Sequence, residues 1–326
     1  MKRFFHKPFR FAIIYSIILL LSASYVLLDT FVIPQPETPV GNGTALAATV
    51  MPTASSAVTL PSASASTDES SWMDSSVTPS GSAAPVITDS FYEDGNIRIV
   101  ITRETKEDTA VFIADVQVSD VSYLKAAFAN NTFGRNIKAA TSEMAENSNA
   151  IFAVNGDYYG FRKAGYVLRN GMLYRSKVGS REDLVIDREG DFSIIKEKST
   201  DAQTLVDTGV WQVFSFGPAL VKDGHIPVNS KSEVTRSMKS NPRTAIGQAG
   251  PLHYIFVVSD GRTDESAGLS LLELAQVMED HGCTVAYNLD GGGSSTMWFN
   301  GQIVNNPTDG RKSGERNISD IVYIGY

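Results

Sequence analysis

The chain has 326 residues, 42% of them hydrophobic and 20% charged, so it can bury the core of one large domain or two small ones. A formal net charge of −8 argues against a nucleic-acid-binding protein, because such proteins usually present a basic surface. The single cysteine, Cys283, excludes an intrachain disulfide, so an exported domain would depend on its core for stability.

The first predicted element is an N-terminal transmembrane helix. Basic residues within 1–10 precede an apolar run over 11–33, and about 20 apolar helical residues cross a hydrocarbon core. Basic residues lie before the run and none lies directly after it. This asymmetry predicts a cytoplasmic tail over 1–10 and a single-pass signal anchor over 11–33 in the cell membrane. The rest of the protein would then lie outside the cytoplasm. The alternative is a cleaved signal peptide, but its apolar region is usually only about 7–15 residues long. A small-residue cleavage pattern, Ala45–Ala47, lies well beyond the run.

Residues 34–88 are rich in Ser, Thr, Ala and Pro, and Trp72 is their one aromatic residue. Such a composition buries too little apolar surface to offset the entropy of ordering the chain. We therefore predict a disordered stalk over 34–88 and a folded domain over 89–326.

Within the domain, strands outnumber helices. Helices are predicted over 137–147 and 269–281, and Gly282 is a plausible stop for the second. Apolar or alternating segments predict strands over 97–102, 110–118, 150–154, 184–187, 192–196, 211–216, 254–259, 285–289, 296–299, 302–305 and 318–326. Several of them form hairpins, which predicts an α+β domain of mixed, largely antiparallel sheets with a few packed helices.

Four apolar strands run directly into polar loops, namely Asn155–Tyr159, Asn241–Thr244, Ser259–Arg262 and Asn288–Ser295. Loops at strand ends often carry function because the sheet holds them in place, although a single Asp-Gly is more often an ordinary turn. The last loop is the most informative, because each of its three consecutive glycines costs about 0.5–1 kcal/mol of backbone entropy in regular structure.

The backbone amides of Gly291–Gly293 could bind an anion, which would explain why glycines occur here. The alternative is a tight structural turn. No Lys-Ser or Lys-Thr follows them, so the loop is not a nucleotide-binding loop of the Walker type. The pattern Gly-x-Ser-x-Gly is also missing, so Ser294 lacks the frame of a serine nucleophile.

Five motifs in this order resemble the phosphodiester glycosidase family, and the resemblance covers roughly residues 95–326. They are Asn155–Tyr159, Ser215–Val221, Asn241–Gly247, Val258–Arg262 and Asn288–Ser295, and Arg316–Ile321 fits the family's polar pair before a final strand. The family includes the lysosomal "uncovering" enzyme, which removes N-acetylglucosamine from a sugar phosphodiester, and exported bacterial proteins linked to exopolysaccharides.

The resemblance implies cleavage between an anomeric carbon and a phosphodiester oxygen, which yields a free sugar and a phosphomonoester. Glycosyl transfer is commonly served by two carboxylates, and the candidates are Asp290 first, then Asp157 and Asp260. The predicted substrate- and phosphate-binding residues are Arg243, Gly291, Gly292, Gly293, Ser294, Asn155, Arg262 and Asn317.

The roles expected of these residues follow from their chemistry. The guanidinium of Arg243 can hold two phosphate oxygens, and Arg262 is a second choice whose alternative is a surface ion pair with Asp264 or Glu265. The side chains of Asn155 and Asn317 could hold sugar hydroxyls.

No cofactor is required by this chemistry, and the histidines lack the spacing of metal ligands. A hard divalent cation such as calcium could still be held by the aspartates. The expected partners are a carbohydrate phosphodiester in envelope or exopolysaccharide glycans, the membrane through the N-terminal helix, and no nucleic acid. The alternative function is a non-catalytic glycan-binding or polysaccharide-assembly protein of the cell envelope.

Overall fold

The computed structural model describes residues 8–40, 84–232, 240–310 and 312–326. Helix α1 spans Pro8–Phe31, and its 22 residues from Arg10 are long and apolar enough to cross a membrane. At about 1.5 Å per residue the segment measures roughly 33 Å, close to the ~30 Å of a hydrocarbon core. A membrane anchor and a signal sequence both have this property. Most of the predicted tail and of the predicted stalk lies outside the described residues.

Three antiparallel sheets form the body of the protein. The eight-stranded large sheet contains, in spatial order, Ala219–Val221, Val285–Asn288, Arg243–Gly250, His253–Ser259, Thr109–Val118, Ile97–Lys106, Phe91–Glu93 and Val86–Ile87. The five-stranded central sheet contains Gln302–Ile303, Met297–Phe299, Phe152–Asn155, Asp320–Ile324 and Leu124–Phe128. The five-stranded small sheet contains Met172–Arg175, Val167–Arg169, Gln212–Phe214, Glu182–Ile186 and Phe192–Lys196. The predicted α+β class with largely antiparallel sheets is confirmed.

One hydrophobic core joins the three sheets. Ile99 and Phe256 of the large sheet, Phe152 of the central sheet, and Leu184 and Phe214 of the small sheet belong to the same buried cluster. Each such side chain contributes about 1.5–3 kcal/mol when it is fully buried. This shared core makes the sheets a rigid support for the loops that leave their strands.

Helices cover the outer faces of the sheets. Helix α4, Leu271–Asp280, packs on the large sheet, and it begins with a capping box in which Ser270 and Glu273 each accept a backbone N–H. Helix α2, Thr141–Asn147, packs on the central sheet, and helix α3 spans Ala202–Asp207. The prediction placed the start of α2 at 137, which is wrong because Ala139 forms a β-bridge with Ile318 and keeps the chain extended.

The structure describes both ends of the predicted stalk, and each of them contains a short strand. Val86–Ile87 extends the large sheet, so the sheet begins before residue 89. Gln35–Pro36 pairs with Gly134–Arg135, and the Asn136 side-chain amide donates to the carbonyls of Thr30 and Ile33 at 3.1 Å each. These contacts satisfy carbonyls at the end of α1 that have no partner within the helix. They join α1 directly to the domain.

Candidate active site

Two adjoining cavities, of about 220 and 320 Å³, lie where the polar loops meet. Together they fall within the range of about 300–1,000 Å³ that is typical of ligand sites. Asp290 and Arg316 line both cavities. The first cavity is also lined by Phe216, Asn241, Arg243, Arg262, Asn288, Leu289, Gly291 and Gly292, and the second by Lys138, Asp157, Tyr158, Phe161, Ser294, Asp309, Asn317, Ile318 and Ser319.

Asp290 follows the large-sheet strand Val285–Asn288, and its carboxyl group faces both cavities. The Ser294 hydroxyl donates to its Oδ2 at 2.6 Å, and the Gly291 amide donates to its Oδ1 at 3.0 Å. Burial raises the pKa of Asp290, whereas the Ser294 hydrogen bond and the charge of Arg316 oppose that shift. The carboxyl group of Asp290 is therefore fixed by two hydrogen bonds, and its surroundings set its pKa.

Three guanidinium groups line the first cavity beside Asp290. Arg243 begins its strand, is buried, and donates through Nε to the Leu269 carbonyl at 2.8 Å. Arg262 donates through Nη2 to the Asn241 side chain at 3.0 Å, so Asn241 takes the place of the ion pair considered with Asp264 or Glu265. Burial and the charge of Arg316 both lower the pKa of Arg262. Clustered like charges of this kind suit an anionic ligand.

Arg316 is a site residue that the sequence interpretation did not assign. Its guanidinium lines both cavities and is held by Asp309, with Nη2 to Oδ1 at 2.7 Å. The available signal was the polar pair Arg316-Asn317 just before the final strand Asp320–Ile324. Asn317, which is predicted to bind substrate, lines the second cavity.

The glycine loop differs from the expectation that its amides cradle an anion. The Gly291 amide donates to Asp290, and the Gly292 amide donates to the Pro242 carbonyl at 2.8 Å. A Cβ at Gly292 would lie 2.7 Å from Arg262 Nη2, and one at Gly293 would lie 2.6 Å from Arg316 Nη2. The glycines therefore leave room for two guanidinium groups to approach the backbone beside Asp290.

Asp157 was expected to be catalytic, but its carboxylate is fully used in holding the structure together. Oδ1 accepts from the Tyr159 amide at 2.8 Å, and Oδ2 accepts from the Ser215 amide at 2.8 Å and from Arg169 Nη2 at 3.0 Å. The same guanidinium donates to Asp320 Oδ2 at 2.8 Å, and all three side chains are almost completely buried. This buried triad, Asp157–Arg169–Asp320, underlies the second cavity and fixes its walls.

Asp260 and Asn155 also occupy structural positions. Asp260 Oδ1 accepts from the Asn306 amide at 2.8 Å and from the Asn305 side chain at 3.2 Å, and its side chain lines neither cavity. The Asn155 side chain donates to the Asp290 carbonyl at 2.6 Å and accepts from the Thr244 hydroxyl at 2.7 Å. Asn155 therefore orients the Asp290 loop, and its amide is not available to a sugar hydroxyl.

An aromatic and basic rim borders the second cavity. The rings of Tyr158 and Phe161 are stacked with their centroids 4.4 Å apart, and Lys138 Nζ lies 5.4 Å from the centre of the Phe161 ring. Tyr158 is exposed at the rim, whereas Tyr159 is buried in the core beside Phe133. A flat aromatic face beside a polar cavity suits a sugar ring. Among the described residues, no group of His, Cys, Asp and Glu side chains is arranged to hold a metal ion.

A carboxyl group beside three guanidinium groups on an antiparallel α+β scaffold suits an enzyme that acts on anionic esters. The chain belongs to the phosphodiester glycosidase family, whose model matches residues 148–325. The loops of Asp157, Arg243, Arg262, Asp290 and Arg316 all lie within that match.

Curated relatives support the family assignment. The chain is 27% identical to the SPbeta prophage-derived protein YomE of Bacillus subtilis over 74% of its own length and 38% of that protein. It is 27% identical to N-acetylglucosamine-1-phosphodiester alpha-N-acetylglucosaminidase of Mus musculus, over 53% of its length and 36% of that enzyme. The chain thus spans less than two fifths of the length of these relatives.

A solved structure supports the fold. The catalytic domain of the zebrafish N-acetylglucosamine-1-phosphodiester alpha-N-acetylglucosaminidase superposes with a TM-score of 0.57 at 22% identity. The match covers 71% of this chain and 83% of that one. The resemblance to this family that the motifs indicate is thus confirmed by the family model and by the curated relatives.

Proposed function

We propose that this protein hydrolyses glycosyl phosphodiesters in envelope or exopolysaccharide glycans, releasing a free sugar and a phosphomonoester. The observation that carries the proposal is the position of Asp290, which faces cavities lined by Arg243, Arg262 and Arg316. The named activity of the mouse relative, a glycosidase acting on an N-acetylglucosamine phosphodiester, supports the same reaction class. Helix α1 would hold the enzyme in the cell membrane with the domain outside the cytoplasm.

The arginines would bind the phosphate and stabilise its developing charge. The bond from C1 of the sugar to the phosphate oxygen breaks, and the phosphate leaves with the electron pair. Water supplies the hydroxyl group that C1 gains. Asp290 acts at C1, either as the nucleophile or as the base that takes the proton from water. Its carboxyl group is assigned this role because Asp290 lines both cavities and forms no ion pair among the described residues. A phosphate is a good leaving group, so a second carboxylate need not protonate it.

The experiment that tests this function uses the full chain in detergent micelles. The protein is incubated with an α-N-acetylglucosaminyl methyl phosphodiester, and the anomeric proton and phosphorus signals are followed by NMR. We expect release of free N-acetylglucosamine and methyl phosphate, and the first anomer formed shows whether the configuration is retained or inverted. No turnover of this compound or of a panel of other glycosyl phosphodiesters, with binding retained, would instead support a glycan-binding protein.

Substitution of Gly293 by Ala should lower kcat/KM by up to about 10²-fold, because the new Cβ displaces the Arg316 guanidinium from the cavity. The backbone of Gly293 is not in the left-handed region, so the main effect is the steric conflict with Arg316 and with its partner Asp309, whose Oδ1 would lie 2.7 Å from the new Cβ. Steady-state kinetics on the NMR substrate measures it. Gly95→Ala is the matched control, since its Cβ would meet no atom within 4 Å. A Gly293→Ala enzyme as active as wild type would remove Arg316 from the proposed mechanism.

The pH dependence of kcat/KM should have an acid limb set by Asp290, because only its ionised form can attack C1 or accept a proton. Burial raises the pKa of Asp290, so the limb should lie above the ordinary range of an aspartate. The Ser294 hydroxyl stabilises the ionised form, so Ser294→Ala should raise that pKa further and move the acid limb to higher pH. The exposed Ser176→Ala is the control. An acid limb that stays in place or moves to lower pH would contradict this role.

A further inference from the structure

A second basic site adjoins the candidate active site. The guanidinium carbons of Arg162 and Arg181 lie 5.1 and 5.6 Å from the centre of the Phe216 ring. Arg162 donates to the Ser215 carbonyl and Arg181 to the Phe216 carbonyl. Each guanidinium is therefore held by a backbone carbonyl and by contact with the aromatic ring.

In the part of the chain that the structure describes, the two guanidinium groups have no carboxylate partner. Within residues 8–40, 84–232, 240–310 and 312–326, neither Arg162 nor Arg181 forms a salt bridge. Among the carboxylates that raise the pKa of Arg162, Asp157 has the largest effect, and it is already paired with Arg169. Burial and the charge of Arg181 both lower the pKa of Arg162. Holding two cations together without a counterion is unfavourable, and an anion bound between them would relieve it.

The location of this pair connects it to the first cavity. Phe216 lines that cavity, and it also lines a groove with Arg181. The groove continues into an open depression that contains Arg162, Lys163, Arg181 and Ser215. The charge of Arg162 also lowers the pKa of Asp290, although burial has the larger, opposite effect. A chain-like ligand could thus lie across Phe216 with one phosphate at Arg243, Arg262 and Arg316 and another at the second site.

We propose that Arg162, Lys163 and Arg181 bind a second phosphate of the same substrate, so that the substrate is a polymer of sugars joined through repeated phosphodiesters. The inference rests on the proposed function, because it deepens the substrate class of that site. Phe216 lines both the first cavity and the groove with Arg181, so it lies at the boundary between the two phosphate sites. Guanidinium groups fixed by backbone carbonyls suit phosphate oxygens, because their remaining N–H groups are already oriented.

The test compares two synthetic ligands with the full chain in detergent micelles. One is a linear oligomer of three α-N-acetylglucosaminyl phosphate repeats, and the other is the methyl phosphodiester of a single repeat. We expect the wild-type protein to prefer the oligomer in kcat/KM, and we expect Arg181→Gln to reduce that preference about tenfold, which corresponds to about 1.4 kcal/mol. Lys198→Gln, an exposed basic residue outside the groove, should leave the preference unchanged.

Two further measurements separate the possible failures. Calorimetric binding of both ligands to Asp290→Asn gives the same comparison without turnover, so the second site is tested even if neither ligand is hydrolysed. Turnover of the single repeat without any preference for the oligomer, in wild type and Arg181→Gln alike, would overturn the inference and leave the proposed function intact. Loss of binding to anionic phospholipid vesicles in Arg181→Gln, with an unchanged oligomer preference, would assign the site to membrane lipids and also overturn it.

Discussion

Replacing Asp290 with Asn should lower kcat by about 10³-fold, within the range of about 10²–10⁴ that removal of an acid–base group produces. The amide has nearly the same shape as the carboxyl group, so the Ser294 and Gly291 contacts can be largely kept. The change removes the negative charge and the proton-accepting oxygen at C1. Turnover of the single-repeat phosphodiester by NMR measures the effect, and calorimetry on the same variant reports substrate binding.

The matched control is Asp280→Asn at the end of α4, where an exposed carboxylate pairs with Lys106. That substitution should change kcat by less than twofold, because surface ion pairs contribute little and this one is remote from the cavities. An Asp290→Asn enzyme that keeps at least a tenth of the wild-type kcat would show that another group acts at C1. Loss of both activity and binding would instead assign Asp290 a structural role.

Replacing Arg169 with Met should destabilise the protein by about 3–5 kcal/mol, because two buried carboxylates would lose their common partner. Although burial disfavours its charge, the carboxylates of Asp157 and Asp320 raise the pKa of Arg169, which agrees with a permanently charged centre of the triad. Thermal or urea unfolding of the full chain in micelles measures the change. Arg188→Met is the control, because its ion pair with Glu189 is exposed and should contribute less than about 0.5 kcal/mol.

The pH dependence of the Arg169→Met variant provides a second test. Burial already raises the pKa of Asp320, and loss of the guanidinium would raise it further. A carboxyl group whose pKa is higher in the folded state stabilises the fold at low pH and loses that contribution as the pH rises through the folded-state pKa. The free energy of unfolding that Arg169→Met loses relative to the wild type should therefore be smaller at pH 5 than at pH 8. An equal loss of unfolding free energy at pH 5 and pH 8 would argue that the destabilisation is not caused by two unpaired carboxylates.

Local signals in the sequence were sufficient for the fold class and for several elements. Gly282, the stop signal that the prediction used, lies two residues past the end of α4, and the helix lies within one or two residues of its predicted bounds. The hairpin between Glu182–Ile186 and Phe192–Lys196 also follows from its turn residues. These features depend on residues that are neighbours along the chain, so they can be predicted from the sequence.

The roles of the site residues depend on contacts that are distant in the sequence. Arg169 and Asp320 are 151 residues apart, so nothing local indicates that Asp157 shares a guanidinium with Asp320. The entropic cost of three consecutive glycines singled out Gly291–Gly293 in the sequence. The reason for Gly292 and Gly293, however, is the approach of Arg262 and Arg316, which requires knowledge of the tertiary structure. Arg316 was not assigned to the site because its position in both cavities and its pairing with Asp309 also depend on the tertiary structure.

The most direct test of the central claim is hydrolysis of the single-repeat phosphodiester in water enriched in oxygen-18. A glycosidase breaks the bond between C1 and the bridging oxygen, so the label should enter the released sugar at C1 and be missing from methyl phosphate. Mass spectrometry of both products, taken early enough to limit exchange at C1 and compared with free sugar held in the same water, measures it. Label in the phosphate and not in the sugar would show attack at phosphorus, and the protein would then be a phosphodiesterase of another mechanism.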